Sequence, residues 1–152
     1  VASNDVSDVE SLIGAAILIR KSAFDEIGGF DERFFFFLEE TDFCLRLRTA
    51  GYRIVFCPAA HVIHLQGKTV RKNWVRGRIE YNISLRKFIR KHHASVYGLA
   101  FDSVKFIKAL LFIVFLPFLL FGERSRMRYL YYCKLVDWYF SGCPDTFGLR
   151  NP

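Results

Sequence analysis

Three carboxylates follow a run of four phenylalanines in the segment FFFFLEETDFCLRLR, residues 34–48. Glu39, Glu40 and Asp42 fall within four positions, and like charges this close together raise the pKa of at least one member when all are ionised. The neighbouring aromatic rings add desolvation, which acts in the same direction, whereas a helix N-terminus near Asp42 or a bound divalent cation would oppose both effects. This chemistry fits a carboxylate tuned for proton abstraction, or one that helps to hold a metal.

A structural interpretation of the same residues also stays open. Asp42 caps the helix and pairs with Arg46 four positions later, while Glu39 and Glu40 remain solvated. Spacing alone favours this interpretation, because perturbed carboxylates are only probabilistic markers of sites. His64 follows the next predicted strand and gains interest only if the fold brings it beside Glu40.

The elements that must position these acids predict an α/β architecture. The apolar run of residues 14–20 predicts a buried strand. Residues 22–27 predict a short helix that Gly28 and Gly29 end. A loop of aromatic character follows, then a second helix from Asp42 to Ala50, and residues 52–57 predict a second strand.

Charge divides the chain unevenly. The net charge is +7, but residues 1–42 hold ten acids and three bases, a net −7, and the remaining residues hold nineteen bases and five acids, a net +14. This split predicts an anionic partner for the second part, which could be nucleic acid, phosphates or an anionic membrane. The four cysteines show no CxxC spacing of a zinc site. Cys44 and Cys57 lie in apolar segments and fit core thiols in a reducing compartment, with disulfides as the alternative.

The second half of the chain predicts helices. Residues 68–91 are basic, with apolar positions between the charges, and residues 109–122 carry no charge at all. Fourteen residues are short of the roughly 20 that a straight membrane span needs. Basic residues on both sides favour a re-entrant or interfacial helix over a full span. A buried hairpin of a soluble core is the remaining alternative, and the apolar segment argues against nucleic acid as the partner.

Several motifs occur in a specific order over about residues 12–67. They are GAA followed by apolar residues and Arg, GGFDE-x-FF, an acid pair followed by x-Asp and x-C-L-R, then G-Y-R, and finally V-x-H. In this order they resemble the C-terminal half of the catalytic domain of family 2 glycosyltransferases, nearest to the rhamnosyltransferase-like group. The resemblance implies part of a GT-A fold, Rossmann-like and on the acceptor side, and an inverting transfer from a nucleotide-sugar.

The resemblance also implies roles for individual residues. Glu40 matches the general base, where the family commonly has Asp, and Glu39 is its competitor for that role. Asp42 matches a third acid that orients or caps, and His64 matches a histidine that completes the coordination of a divalent cation, Mg²⁺ or Mn²⁺. The acceptor-side segments fall on Gly14, Gly28, Gly29, Phe30 and Asp31.

One departure from the family pattern bears on activity. The nucleotide-binding half with its Asp-x-Asp motif normally precedes the strand at Gly14, and neither Asp5 nor Asp8 matches it. We therefore expect a fragment, inactive alone, in which most ligands of the cation and the donor site come from the missing half. Its expected segments are a catalytic portion, 1–67, a basic amphipathic portion, 68–100, and a membrane-associating tail, 101–152.

The expected partners are a nucleotide-sugar, a glycan or lipid-linked acceptor and an anionic membrane surface, and no nucleic acid. The expected location is the cytoplasmic face of the bacterial inner membrane, peripheral or re-entrant. The alternative is a non-enzymatic membrane-docking or interaction module, in which the acids serve only as helix caps.

Overall fold

A computed structural model describes residues 5–64, 73–119 and 122–150, with side chains omitted for 116–119. The chain forms two compact units, Val1–Gln66 and Gly67–Pro152, and each unit has its own apolar core. The expected division into 1–67, 68–100 and 101–152 stays a prediction.

The first unit combines two helices with a very small sheet. The elements in chain order are strand β1 (Ser7–Asp8), helix α1 (Lys21–Glu26), helix α2 (Glu39–Thr49) and strand β2 (Val55–Phe56). The strands pair antiparallel. An ion pair also joins β1 to the residues before β2: Arg53 Nε and Nη2 donate to the Asp8 carboxylate at 2.9 and 2.8 Å.

The strand predicted for residues 14–20 is wrong. This segment forms turns and irregular backbone, and Leu18 is fully exposed. A strand requires a neighbour that pairs its N–H and C=O groups, and within the part of the chain that the structure describes the segment has no such neighbour. The strand predicted for 52–57 shortens to two residues, so the α/β prediction holds only coarsely and the described residues are mostly helical.

Helix α2 begins three residues before the predicted start at Asp42. It starts at Glu39, directly after Phe37 and Leu38, whose φ angles of 67° and 65° lie in the left-handed region. Two such residues in succession turn the chain sharply into the helix. All three acids therefore lie in the first turn of α2, where the helix dipole favours negative charge.

The core of the first unit is built on one face of α2. Phe43, Cys44 and Leu47 are buried, and they pack with Ala23 of α1 and Ile54 before β2. The spacing of three and four residues is that of an apolar helical face. Packing on this face fixes the rotation of α2 and therefore the direction in which its first turn presents the acids.

The second unit is helical. Its elements are α3 (Trp74–His92), α4 (Ser95–Leu119), α5 (Glu123–Phe140) and a 3₁₀ turn (Asp145–Phe147). Helix α3 covers the predicted basic helix of 68–91, of which residues 68–72 lie outside the described part of the chain. No helix within the described residues is long and apolar enough to cross a membrane.

The core of the second unit draws on all three helices. Ile79 and Ile83 of α3, Ala109 of α4, and Leu135 and Trp138 of α5 are all at most 2% exposed. Of these, Ala109 is the small residue, which allows the neighbouring helices to approach α4 closely. Helix α4 therefore has one face committed to the core.

The C-terminal segment is fastened onto this helical core by polar contacts. Trp138 Nε1 donates to the Pro144 carbonyl at 3.0 Å. The Leu149 N–H donates to the carboxylate of Glu80 at 2.8 Å, and Arg76 Nε donates to the Gly148 carbonyl at 3.0 Å. Glu80 is 1% exposed. Its burial raises its pKa, while the Leu149 hydrogen bond opposes that rise.

Candidate active site

The three acids of the first turn of α2 lie in different environments. Asp42 is fully buried, whereas Glu39 and Glu40 are half-buried. The structure therefore separates one structural carboxylate from two that keep some access to solvent.

Asp42 forms a buried ion pair. Arg46 Nε lies 2.8 Å from Asp42 Oδ2, one turn further along α2. The same guanidinium donates to the Ile27 carbonyl at 2.7 Å and to the Gly29 carbonyl at 2.6 Å. The pairing with Arg46 expected from the spacing is present, but Asp42 lies inside α2 rather than at its N-cap, which is Leu38. A buried carboxylate held in this way positions the backbone and is poorly placed to abstract a proton.

Glu40 faces the segment that begins at Gly14. Its Oε1 accepts a long hydrogen bond of 3.4 Å from the Gly14 N–H. Its Oε2 is buried and has no hydrogen-bond partner within the described residues. A Cβ on Gly14 would contact the carboxyl carbon and Oε1 at 3.7 Å, an ordinary van der Waals distance. One oxygen of the Glu40 carboxylate therefore faces the backbone at Gly14, and no other described residue forms a hydrogen bond to the second.

The surroundings of Glu39 raise its pKa. Burial raises the pKa of Glu39, and the adjacent charge of Glu40 raises it further, while a backbone hydrogen bond opposes these effects. Glu39 Oε2 is buried and has no hydrogen-bond partner among residues 5–64. The sequence predicted a raised pKa for at least one member of the cluster, and Glu39 has one.

Arg46 connects the glycine turn after α1 to Asp42 of the acid cluster. Gly28 and Gly29 have φ angles of 75° and 69°, in the region that favours glycine. A Cβ on Gly29 would also come within 2.8 Å of the Phe24 ring. The Phe30 ring that follows stacks on the Phe43 ring, with centroids 4.6 Å apart. The turn and the aromatic residue after it are therefore held in one conformation.

Asp31 and the phenylalanine run complete the surroundings. Asp31 accepts hydrogen bonds from the Arg33 N–H at 3.0 Å and from Arg33 Nη2 at 2.6 Å. Phe34 is buried, whereas Phe35 and Phe36 are partly exposed. The role of these residues on the acceptor side stays a prediction.

A separate cleft of about 480 Å³ opens in the same unit. Its lining includes Leu12, Ile19, Phe43 and Leu47, with Arg20 and Arg53 at its polar part. Neither Glu39 nor Glu40 lines it. No sequence pattern predicted this cleft, whose lining includes residues 17–20 of the segment predicted as a strand.

The metal prediction rests on His64, which is exposed. Among residues 5–64, 73–119 and 122–150, no group of three or more His, Cys, Asp or Glu side chains comes close enough to hold a metal ion. The described residues therefore do not fit a complete cation site by themselves, and His64 as a ligand stays a prediction.

Two of the contacts of Arg46 were not predicted from the sequence. The spacing from Asp42 to Arg46 predicted an ion pair between them. It gave no sign of the two carbonyl contacts, because Ile27 and Gly29 lie nineteen and seventeen residues earlier in the chain.

Comparison with known proteins gives a consistent picture. The sequence model of the family described as "Glycosyl transferase family group 2" matches residues 2–142. The chain is 34% identical over 83 residues, 55% of its length, to the N-acetylglucosaminyl-diphospho-decaprenol L-rhamnosyltransferase of Mycobacterium tuberculosis. It is 43% identical over 56 residues, 37% of its length, to the rhamnosyltransferase WbbL of Escherichia coli.

A third relative is the low-salt glycan biosynthesis hexosyltransferase Agl10 of Haloferax volcanii, 33% identical over 63 residues, 41% of this chain. The matched segments span only 27%, 21% and 20% of the lengths of these three relatives. No solved structure matches the chain significantly.

Proposed function

The chain belongs to glycosyl transferase family group 2, and from this membership we propose that it forms the acceptor side of a GT-A glycosyltransferase that moves a sugar from a nucleotide-sugar to an acceptor hydroxyl. The product would be a surface polysaccharide or glycolipid. Two of the relatives are named as rhamnosyltransferases, and a third is named as a hexosyltransferase of glycan biosynthesis. The donor site would lie in the part of the relatives that this chain does not match, and the chain alone would then be inactive.

The observation that carries the proposal is the environment of Glu40. One carboxylate oxygen is held by the Gly14 N–H, and the other is buried without a partner among the described residues. This arrangement orients a proton acceptor and leaves it incompletely solvated, as a general base requires.

The proposed step is a direct displacement. Glu40 takes the proton of the acceptor hydroxyl while the oxygen of that hydroxyl forms a bond to the anomeric carbon. The bond from that carbon to the nucleotide phosphate breaks on the opposite side, and the leaving oxygen keeps the electron pair. The configuration at the anomeric carbon is therefore inverted.

A divalent cation, Mg²⁺ or Mn²⁺, is part of the proposal and when bound would neutralise charge on the leaving phosphates. Because the described residues do not assemble a cation site, most of its ligands would come from outside them, with His64 as one proposed contribution. Asp42, through Arg46, would set the position of the acceptor-side turn rather than react.

The proposed acceptor is glycan or lipid-linked, and the proposed location is the cytoplasmic face of the bacterial inner membrane. The Mycobacterium tuberculosis relative is named for a decaprenol-linked substrate. The second unit holds sixteen Lys and Arg against five Asp and Glu, a net charge of +11, which would attract an anionic membrane surface.

The test replaces Glu40 by Gln in the full-length protein. Gln keeps the acceptor for the Gly14 N–H but cannot take a proton at neutral pH. Loss of a general base costs about 10²–10⁴-fold in kcat, and we expect donor affinity to be unchanged. Glu39→Gln is the matched variant, with the same charge change one residue earlier. If Glu40→Gln keeps normal turnover and Glu39→Gln loses turnover, Glu39 is the general base. Normal turnover by both variants would overturn the proposed mechanism.

A further inference from the structure

Helix α4 exposes a long apolar face. Its members recur every three to five residues and are each between 52% and 64% exposed: Val96, Leu99, Val104, Ile107, Leu111 and Val114. At 100° per residue they fall within an arc of about 140°, and they extend about 27 Å along the helix. Ala109, which is fully buried in the core, lies on the opposite side. The six residues therefore share one face of the helix, on which Ser103 is the exposed polar residue.

An apolar surface of this length marks an interaction site. The exposed charges on α4 and at the start of α5 are mostly basic, with Glu123 as the exposed acid in the first turn of α5. Lys108 is exposed at its edge, and Arg124, Arg126 and Arg128 are exposed in the first turns of α5. The one acid in α4 is Asp102, whose carboxylate is paired with Arg86 and Arg90. The occupant must accordingly present apolar groups beneath a negatively charged layer.

A second copy of the chain fits this description poorly. The second unit has a net charge of +11, so two such faces in contact would bring like charges together. A bilayer with anionic headgroups offers both the negative charge and the apolar layer below it.

We propose that the α4 face lies in the headgroup layer of a membrane that contains anionic lipid, with the helix parallel to the surface. The apolar side chains enter the boundary of the acyl chains, and the arginines at the start of α5 contact the headgroups. This inference rests on the membrane side of the proposed function, but its test requires no sugar transfer, so either can fail without the other.

The first arm of the experiment removes the apolar face. The full chain is floated with vesicles of phosphatidylglycerol and phosphatidylcholine, and with vesicles of phosphatidylcholine alone. We expect Ile107→Glu/Leu111→Glu to reduce binding to the anionic vesicles by at least about tenfold, since each buried apolar side chain contributes on that scale. The matched control is Ile13→Glu/Leu18→Glu, which adds the same charges at exposed apolar positions of the first unit and should leave most binding intact.

The second arm removes the charge. Arg124→Gln/Arg126→Gln/Arg128→Gln should weaken binding to anionic vesicles by about fivefold for each base near the surface. Added salt should weaken the binding of the original chain more steeply than that of this variant. Circular dichroism checks that each variant keeps its helices, and if the α4 variant unfolds, the arginine variant decides.

Three results would overturn the inference. They are equal binding to neutral and anionic vesicles, binding that neither variant weakens, and a lipid-free dimer that Ile107→Glu/Leu111→Glu dissociates. The last, measured by analytical ultracentrifugation, would assign the face to a second copy of the chain.

Discussion

The guanidinium of Arg46 and the carboxylate of Asp42 lie 2.8 Å apart, Nε to Oδ2, on successive turns of α2. The remaining Arg46 nitrogens donate to the carbonyls of Ile27 and Gly29. One side chain therefore joins the helix that carries Glu40 to the glycine turn that follows α1. The glycine turn is therefore fixed to α2 by a side chain of the helix itself.

Replacement of Arg46 by Met should destabilise the first unit strongly. It removes three hydrogen bonds and leaves the fully buried Asp42 carboxylate without its cation, which costs about 3–5 kcal/mol. The measurement is the free energy of unfolding from urea titrations followed by circular dichroism. Arg48→Met is the matched control on the same helix. The Arg48 side chain is 43% exposed, and its contact with the exposed Glu10 is long, at 3.9 Å. Its expected cost is less than about 1 kcal/mol.

A double-mutant cycle isolates the pair. Asp42→Asn combined with Arg46→Met should cost less than the sum of the two single changes, since the buried charge is then absent. Equal losses for Arg46→Met and Arg48→Met would contradict a structural role for the Arg46 contacts.

The sequence predicted local features of the first unit better than it predicted which strands pair. Periodicity placed Phe43 and Leu47 on one buried face, and the four-residue spacing placed Arg46 beside Asp42. It misplaced the start of α2, because φ angles above zero at Leu38 and the residue before it follow no common residue preference. The strand predicted at residues 14–20 failed for a different reason, since an apolar run cannot supply the neighbouring strand it needs.

The second unit shows the same limit. Its basic, amphipathic helix was predicted from residues 68–91, in which Glu80 is the single acid. Sequence alone could not indicate that Glu80 is buried, because its hydrogen-bond partner is the N–H of Leu149, 69 residues later. The burial of a carboxylate by a distant backbone amide leaves no periodic signal.

Glu39 should make the stability of the first unit depend on pH. Burial, followed by repulsion from Glu40, raises its pKa in the folded chain above the unfolded value. The folded state therefore binds the proton more tightly, so the Glu39 contribution to stability is present below the ordinary glutamate pKa of about 4.3 and is lost as the pH rises through the raised value. Glu39→Gln should remove this decline, as measured by urea unfolding at a series of pH values from the ordinary glutamate pKa of about 4.3 upwards.

The control for that measurement is Glu10→Gln, which removes one negative charge at a side chain that is 89% exposed. A pH dependence of stability that is the same in Glu39→Gln and in the original chain would show that Glu39 does not carry it.

Gly148 should not tolerate a side chain. A Cβ there would collide with Glu80 Oε2 and would lie 3.0 Å from the Glu80 Cα, which cannot rotate away. Gly148→Ala should therefore cost about 1–3 kcal/mol by overpacking and loosen the C-terminal segment, which hydrogen exchange of the Leu149 amide would detect. Thr146→Ala, at an exposed position of the same segment, is the control. Unchanged protection of Leu149 in Gly148→Ala would refute the clash.

Asp102 should stabilise the packing of α4 against α3, although its side chain is partly exposed. Its carboxylate accepts from Arg86 Nε at 2.9 Å and from Arg90 Nη2 at 2.8 Å, and it is 17% exposed. Asp102→Asn removes the negative charge between two arginines and should cost about 2–4 kcal/mol, because two cations then face each other without a counter-ion.

Asp137→Asn is the matched control. Its partner Lys134 lies 3.4 Å away with both side chains about half exposed, so we expect a change within about 1 kcal/mol. Thermal unfolding of both variants at two salt concentrations separates the outcomes, and equal losses at both sites would show that the arginine pair does not depend on Asp102.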